Sequence, residues 1–295
     1  EEIAAVAGTS REACAEALTR IRLEAAEQPF VVDERRAMEP EAPRVFADRP
    51  NASPPRVSEA GDVDAAFAAA AAVVEGEYAT QVEIHHPLEP HGYVAAIDGD
   101  ELTVWASTQG IFAVRDGVAD HLGMDQSKVR VLSDFMGGGF GGKLTPGVES
   151  VVAARLAQAA GAPVRLVLSR FEEALAVGNR PSSYQHVRLG ADRDGRLTAF
   201  EMRGFGTGGF PSGGDNPGGG GGSVIPAPYV YRVPNVRVQQ YGVAVNAGAS
   251  RPMRAPGHPQ AAFVMESAMD ELALKLGMDP VDLRVLNTSV EIHRT

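Results

Sequence analysis

The residues best suited to hold an anion lie in the middle of the chain, at 137–143, which read GGGFGGK. Gly137, Gly139 and Gly142 satisfy the dinucleotide pattern G-x-G-x-x-G, and Lys143 completes the G-x-x-x-x-G-K of a phosphate-binding loop. Ordering a glycine costs about 0.5–1 kcal/mol more than ordering an alanine. Five glycines in six positions therefore indicate that something approaches this backbone closely.

Both nucleotide-binding patterns are incomplete here. A phosphate-binding loop continues with a Ser or Thr that holds magnesium, whereas Lys143 is followed by Leu144. A dinucleotide-binding unit has an acidic residue at the end of its next strand, whereas the strand-like segment 163–169 ends without a carboxylate. Nucleotide binding stays an open alternative for this loop.

A second group of chemically useful side chains is HHPLEPH, at 85–91. His85, His86 and His91 could bind a metal together with Glu89. Hydrogen bonding in a buried turn is the other interpretation, and the one we favour. The single cysteine, Cys14, excludes an internal disulfide framework, a zinc finger and an iron–sulfur cluster, because each needs several thiolates. We expect Cys14 to lie on a helix face.

Composition narrows the class of protein further. The 295 residues are 44% hydrophobic and 22% charged, which predicts a folded chain. The net charge of -11, without a basic patch, argues against nucleic acid as a partner. The longest apolar run, 65–74, is too short for a membrane span, and the acidic N-terminal segment predicts no signal peptide. We expect a cytoplasmic location, with the periplasm reached only through a partner subunit.

The elements that must position these residues alternate between strands and helices, which predicts a mixed α/β chain. A glycine-rich stretch, 204–222, reads as a loop. The segment 29–60 is rich in proline and reads as an extended connector. Strands are expected at 3–7, 76–84, 93–97, 101–106, 129–135, 163–169 and 234–245, with a hairpin turning at Asp194 and Gly195, and helices at 11–24, 62–74, 108–122, 147–160 and 261–276.

Six segments in this order resemble the molybdenum-cofactor-binding large subunit of the xanthine dehydrogenase and aldehyde oxidase family, the molybdenum hydroxylases. The segments are HHPLEPH (85–91), STQG (107–110), GGGFGGK (137–143), YRVPNVR (231–237), PMRAPGHPQ (252–260) and MDELALKLGMDPVDLRVLN (269–287). The resemblance covers nearly the whole chain. It implies the end of a small hammerhead α/β domain at 1–50, a connector and helix at 51–77, and the first cofactor-binding domain at 78–295.

The resemblance also implies roles for single residues. Gln109 and its neighbour Gly110 would contact the cofactor, with the Gln109 amide directed at an oxygen ligand of the metal. The backbone amides around Gly139, Phe140 and Gly141, and that of Arg254, would contact the oxygen ligands and the pterin. Such amides stabilise anionic oxygens without adding charge. Gln109, Phe140 and Arg254 could instead be an ordinary helix residue, a core residue and a surface ion-pair partner.

The cofactor implied is molybdopterin, either as such or as its cytosine dinucleotide. It binds molybdenum through its own sulfur atoms, so the chain need not supply a metal ligand, and the resemblance places no catalytic residue in this chain. The resemblance implies a [2Fe-2S] cluster and FAD on partner chains or domains. The partners implied are an iron–sulfur subunit, an FAD subunit, a second molybdopterin-binding domain or subunit, and a small-molecule substrate.

Two departures from the family pattern concern the substrate pocket, which by resemblance includes Leu144, Gly222 and Pro256. Purine-oxidising members have a glutamate directly after the loop lysine and an arginine 32 positions before the equivalent of Arg254. This chain has Leu144 and Gly222 there. A purine ring needs polar partners, so we expect an aldehyde or a less polar heteroaromatic substrate rather than xanthine.

The reaction implied is hydroxylation with water as the oxygen donor and a glutamate as general base. That glutamate belongs to a G-x-G-E-like segment of the second cofactor domain, which this sequence does not contain. We therefore expect a fragment or one piece of a split subunit that is inactive alone. A non-catalytic assembly or binding module of the same fold, and a nucleotide-binding protein, stay open as alternatives.

Overall fold

The computed structural model describes residues 3–210, 227–228 and 230–288. The helices in this part are α1 (Arg11–Thr19), α2 (Glu34–Ala37), α3 (Val63–Ala69), α4 (Ile111–Leu122), α5 (Val148–Ala160), α6 (Arg170–Ala176), α7 (His258–Leu276) and α8 (Pro280–Asn287). The strands are β1 (Arg56–Ala60), β2 (Ala72–Thr80), β3 (Gly92–Asp98), β4 (Glu101–Ala106), β5 (Val129–Leu132), β6 (Val164–Val167), β7 (Ser183–Ala191), β8 (Leu197–Phe210) and β9 (Asn235–Gly248). The predicted mixed α/β class is confirmed.

The smaller sheet positions the glycine loop. Its strand order is β5-β4-β3-β6, with β4 and β5 parallel and the other pairs antiparallel. Helices α4 and α5 pack on this sheet through small and branched apolar side chains. Alanine at 153, 154 and 157 lets α5 approach the strands closely, and all three residues are fully buried.

The larger sheet has the order β1-β9-β8-β7-β2, in which only β8 and β9 run parallel. Helix α7 lies along one face, where Val264, Met265, Met269 and Leu272 join the core, and α8 adds Leu283. Helix α3 places Val63 and Phe67 in a separate cluster with Ala199 and Val73. In the described ranges, no helix combines the length and the apolar character needed to cross a bilayer.

The N-terminal predictions are wrong in two details. Residues 3–7 are not a strand, and most of them are exposed. A strand needs a partner for its backbone groups, and the described chain places none beside this segment. Helix α1 ends at Thr19 rather than near Glu24 and has no buried residue. Without a packed face, a helix gains little beyond its weak intrinsic propensity.

The region between 29 and 84 contains more regular structure than expected. Within the supposed connector, α2 is a short helix and β1 pairs with β9. The predicted helix 62–74 stops at Ala69, because Val73 and Val74 pair with Gly190 and Leu189 of β7 as part of β2. Branched side chains favour this strand over a continued helix.

The central and C-terminal elements follow the predictions closely. The β7–β8 hairpin, helices α4, α5 and α7, and strands β3, β4 and β9 are confirmed with shifts of a few residues at their ends. Helices α6 and α8 were not predicted. The stretch 204–222 begins inside β8 rather than in a loop, since β8 extends to Phe210, and its remainder lies outside the described residues. The domain division at 50 and 77 stays a prediction.

Candidate functional site

The glycine loop joins β5 to α5 and passes two other segments at very short range. A Cβ on Gly139 would lie 2.4 Å from Gln109 Oε1. A Cβ on Gly141 would lie 2.4 Å from the carbonyl oxygen of Pro252, and Gly141 has a φ of +104°, which favours glycine. The glycines therefore allow three segments, around 109, 140 and 252, to meet.

Gln109 lies between the end of β4 and the start of α4. Its side-chain Oε1 accepts hydrogen bonds from the backbone N–H of Gly141 at 2.8 Å and of Lys143 at 3.4 Å. Its own backbone N–H donates to Lys143 O at 2.8 Å. Since Oε1 is held by the loop, the orientation of the carboxamide is fixed. In the part of the chain that the structure describes, the amide Nε2 has no acceptor.

Phe140 and Arg254 form the third side of the site. Phe140 has a φ of +53° and is 45% exposed, so it is not a core residue. The backbone N–H of Arg254 donates to Phe140 O at 2.7 Å. Buried Arg180 donates to the carbonyl oxygens of Arg254 (2.6 Å) and Ala255 (3.4 Å), which supports Ala255 at a φ of +55°.

A cleft of about 440 Å³ opens beside these residues. Two buried side-chain atoms that lack a hydrogen-bond partner among the described residues, His85 Nδ1 and Arg180 Nε, belong to its lining residues, and Arg180 Nε lies 3.8 Å from Glu83 Oε2. Burial lowers the pKa of His85, against the opposing effect of its bond to Pro252 O. The residues that line the cleft are His85, Phe140, Arg180, Met253, Arg254, Ala255 and Pro259.

The donors of this site suit an anionic, oxygen-rich group. Gln109 Nε2, the Arg254 guanidinium and the backbone N–H groups of Gly139 and Phe140 have no acceptor within the described ranges. Two other amides named by the resemblance are already used inside the chain, because Gly141 N–H donates to Gln109 and Arg254 N–H donates to Phe140. The residues present therefore fit molybdopterin, with side-chain donors in a larger role than the resemblance implies.

Lys143 is directed away from the loop opening. Its side chain is fully buried, and Nζ donates to the carbonyl oxygens of Glu89 (2.7 Å) and Pro90 (3.4 Å) and to Ser107 Oγ (2.5 Å). Burial lowers its pKa, with Glu89 and Glu173 acting in the opposite direction. A phosphate-binding lysine must reach a ligand at the mouth of its loop, so this arrangement disfavours the nucleotide alternative.

Two of the three histidines of HHPLEPH, His85 and His91, form hydrogen bonds with the protein, which is the role favoured from the sequence. His85 Nε2 lies 2.7 Å from Pro252 O, and His91 Nδ1 lies 2.8 Å from Glu173 Oε1 in a fully buried pair. Burial alone would raise the pKa of Glu173, but its hydrogen bonds from His91 lower it. His86 is exposed. No group of three or more His, Cys, Asp or Glu among the described residues could hold a metal ion.

The structure describes two of the three residues expected in the substrate pocket. Leu144 is 40% exposed, and its carbonyl oxygen lies against Gly110, which begins α4 and donates its N–H to Thr108 Oγ1. Pro256 is exposed, two residues beyond Arg254. Gly222 lies outside the described residues. Cys14 is half-buried on α1, as expected of a helix-face residue.

The sequence did not identify Ser107, Thr108 and Glu173 as part of this site. Thr108 Oγ1 donates to Lys143 O at 2.9 Å, and Glu173 lies on α6, a helix that was itself not predicted. The only sequence signal for α6 is Ser169 followed three residues later by Glu172, which form a capping box. That signal does not indicate that Glu173, rather than Glu172, turns inward.

Comparison with known proteins gives one family. The model of the molybdopterin cofactor-binding domain matches residues 46–288. The nicotinate dehydrogenase large molybdopterin subunit of Eubacterium barkeri is 38% identical over 294 residues, which cover 97% of this chain and 67% of that protein. The aldehyde oxidoreductase molybdenum-binding subunit PaoC of Escherichia coli K12 is 35% identical over 227 residues, 77% of this chain and 30% of that protein.

Solved structures give the same result. Aldehyde oxidoreductase from Desulfovibrio gigas superposes with a TM-score of 0.85 at 28% identity, covering 95% of this chain and 31% of that chain. Quinoline 2-oxidoreductase from Pseudomonas putida 86 superposes with a TM-score of 0.85 at 29% identity, covering 96% and 37%. The present chain therefore spans about a third of the length of PaoC and of these two structures.

Proposed function

This chain belongs to the molybdopterin cofactor-binding domain family, and on that premise we propose that it forms one wall of the cofactor site in a molybdenum hydroxylase. One observation carries the proposal. The Gln109 carboxamide is fixed through its oxygen by Gly141, which leaves Nε2 as a free donor next to the glycine loop. A pre-oriented donor of this kind stabilises an oxygen ligand without reorganising when it binds.

The chain's own residues bind and orient the cofactor. Gln109 and the amides of Gly139 and Phe140 donate to its oxygen atoms, and the Arg254 guanidinium compensates negative charge. Gly110 lets the start of α4 approach the loop, and Gly141 lets the loop approach the segment around Pro252. When bound, molybdopterin supplies the metal and the redox chemistry by which an oxygen atom from water is added to the substrate.

The substrate class we propose is an aldehyde or a weakly polar heteroaromatic compound. Leu144 supplies an apolar, partly exposed side chain directly after the loop lysine, and Gly222 supplies no side chain at all. Neither can hold the heteroatoms of xanthine. Relatives with similar sequence or structure are named for aldehyde, nicotinate and quinoline oxidation.

The remaining parts of the reaction come from outside these residues. We propose that a second cofactor-binding domain or subunit supplies the glutamate base, and that a [2Fe-2S] cluster and FAD on partner chains or domains accept the electrons. Phe135, two residues before the glycine loop, is 93% exposed, and such a large apolar side chain is typical of a surface covered in an assembly. The chain alone is then inactive.

The test is to produce the chain in a host that makes molybdopterin, alone and with its neighbouring subunits. We expect bound molybdenum, measured by mass spectrometry, and bound pterin, measured by fluorescence after oxidation. Gln109→Ala should lower both, and Gln158→Ala, an exposed substitution on α5, should change neither. A chain that carries no molybdenum even in its assembly would instead be a non-catalytic module.

Turnover separates the finer parts of the proposal. The assembly should oxidise aromatic aldehydes far faster than xanthine, and the chain alone should oxidise neither. Comparable turnover of xanthine would overturn the substrate class. Aldehyde oxidation by the isolated chain would overturn the need for a second domain or subunit.

A further inference from the structure

Lys143 holds an ammonium group in the protein interior with all three N–H bonds engaged. Its acceptors are the carbonyl oxygens of Glu89 and Pro90 and the hydroxyl of Ser107. The nearest carboxylate oxygen, Glu89 Oε2, is 3.8 Å away on a side chain that is 42% exposed. Lys143 is therefore bound mainly by neutral dipoles rather than by a close ion pair.

The main chain of Lys143 contacts the same neighbouring segment. Its carbonyl oxygen accepts from Gln109 N–H at 2.8 Å and from Thr108 Oγ1 at 2.9 Å. Residues 107, 108 and 109 are thus each bonded to Lys143, and the last of them is the residue whose carboxamide faces the site. No other described residue of the glycine loop bonds to all three.

The carbonyl groups of the HHPLEPH segment are shared between two cations. Arg170 donates to the carbonyl oxygens of Pro87 and Leu88, and Lys143 donates to those of Glu89 and Pro90. Two of these four residues are prolines, which have no N–H and cannot join a regular ladder. The cations take the place of backbone donors, so the segment and the loop are held at a fixed distance.

A buried cation is costly to the fold. Removing an ammonium from water costs several kcal/mol after relaxation, and an apolar side chain of the same volume packs without this cost. Burial accordingly lowers the pKa of Lys143. An apolar residue could fill this space, but it could not bond three oxygen atoms on two segments. The advantage of lysine here is that it fixes the two segments relative to each other, not that it stabilises the fold.

We propose that Lys143 is a positioning residue that fixes residues 107–109, and through them the Gln109 carboxamide, against the glycine loop. The role of this positioning in cofactor binding rests on the proposed function. The positioning itself does not, because the hydrogen bonds are made within the chain. Because Lys143 Nζ is buried and bonded within the chain, the lysine acts through Gln109 and the loop backbone.

The first experiment is hydrogen–deuterium exchange on the 295-residue chain without cofactor. Lys143→Met keeps an unbranched side chain that is one heavy atom shorter, and it removes the charge. Lys128→Met, at a partly exposed lysine that pairs with Asp100, is the matched control. We expect the amides of Gln109 and Gly141 to exchange about tenfold faster or more in Lys143→Met, since a bond from a charged donor contributes about 1.5–3 kcal/mol. Lys128→Met should leave them unchanged.

A second variant, Ser107→Ala, removes one acceptor and keeps the lysine, so it tests the proposal even where Lys143→Met does not fold. It should speed exchange at Gln109 by a smaller factor than Lys143→Met does, because only one of the three hydrogen bonds from Lys143 Nζ is lost. A speed-up spread evenly over all amides would reveal a general loss of stability and overturn the proposal. Unchanged exchange at Gln109 in both variants would do the same.

The second experiment separates this inference from the proposed function. Bound pterin per chain, and the visible circular dichroism of the bound cofactor, are compared between wild type, Lys143→Met and Lys128→Met. We expect Lys143→Met to bind less pterin and to alter the dichroism. If wild type binds no pterin, the proposed function fails and the exchange result stands. If Lys143→Met binds pterin with an unchanged spectrum, the positioning role fails and the function stands.

Discussion

Gly141 is the residue whose replacement tests the site most directly. Its φ of +104° and its distance to Pro252 both require the absence of a Cβ. Gly161, at the end of α5, has a φ of +59° with open space around it. Alanine at either glycine must adopt a backbone conformation that costs an L-residue about 1–2 kcal/mol. Only alanine at 141 must also displace a carbonyl group.

We predict that Gly141→Ala lowers bound pterin about tenfold or more, which corresponds to ~1.4 kcal/mol. The reason is that the loop and the Pro252 segment separate, so Phe140 and Arg254 no longer lie together. Gly161→Ala should lose a similar amount of stability from its backbone while binding pterin like wild type. Equal pterin binding by the two variants would show that the close approach at Gly141 has no role in the site.

At the scale of elements, Asn287 fixes helix α8 to the β7–β8 hairpin. It is 6% exposed, its Nδ2 donates to Gly195 O (2.8 Å) and Leu283 O (2.9 Å), and its Oδ1 accepts from Leu197 N–H at 2.9 Å. Each buried group left without a partner costs about 1–3 kcal/mol. The three bonds together hold α8 where Leu283 can join the core.

We predict that Asn287→Ala lowers the free energy of unfolding by about 2–4 kcal/mol, because it leaves two or three buried groups unpaired. Urea denaturation measures this value. Asn246→Ala is the control, since among the described residues the side chain of exposed Asn246 makes one bond, from Val31 N–H at 3.0 Å, and its loss should cost about 1 kcal/mol. Similar losses in both variants would mean that α8 is held mainly by its apolar contacts.

The accuracy of the sequence predictions depended on the range of the interactions involved. The loop's place between β5 and α5 follows from local patterns, and it is confirmed. The partner of β1 is β9, far along the chain, so nothing near residue 56 distinguishes this strand from a connector. Likewise, His91 and Glu173 are 82 positions apart. The sequence around Lys143 would be the same whether this lysine bound a ligand or was buried, so its burial could not be predicted.

At the scale of the whole molecule, three buried tyrosines donate to carboxylates on the two longest helices. Tyr78 and Tyr231 bond Glu271 and Glu266 of α7, and Tyr93 lies 3.5 Å from Glu149 of α5. Burial raises the pKa of each tyrosine, and the adjacent carboxylate raises it further. These contacts connect α5 and α7 to the hydrophobic cores on which the two helices pack. The titration of the three tyrosines therefore reports on the entire fold.

We predict that stability falls steeply above pH 10.5. Unfolded tyrosine ionises near its ordinary pKa of 10.0, whereas the folded chain keeps these protons, so the folded state binds more protons and loses free energy of unfolding as the pH rises. The upper limit is about 1.4 kcal/mol per pH unit for each tyrosine. Lys143, with its lowered pKa, acts in the opposite direction only below its ordinary value of 10.5.

Urea denaturation between about pH 10.5 and 11.5 tests this sign, because unfolded tyrosine, with an ordinary pKa near 10, is mostly ionised in that window. The double variant Tyr78→Phe with Tyr231→Phe should be less stable than wild type at pH 8, because it loses two hydrogen bonds. It should nevertheless lose stability less steeply as the pH rises, because two of the groups with a raised pKa are gone, while Tyr93, Tyr184 and Lys128 remain. Asn246→Ala removes no titrating group and should keep the wild-type slope. A double variant with that same slope would place the alkaline sensitivity outside the tyrosine–carboxylate pairs of α7.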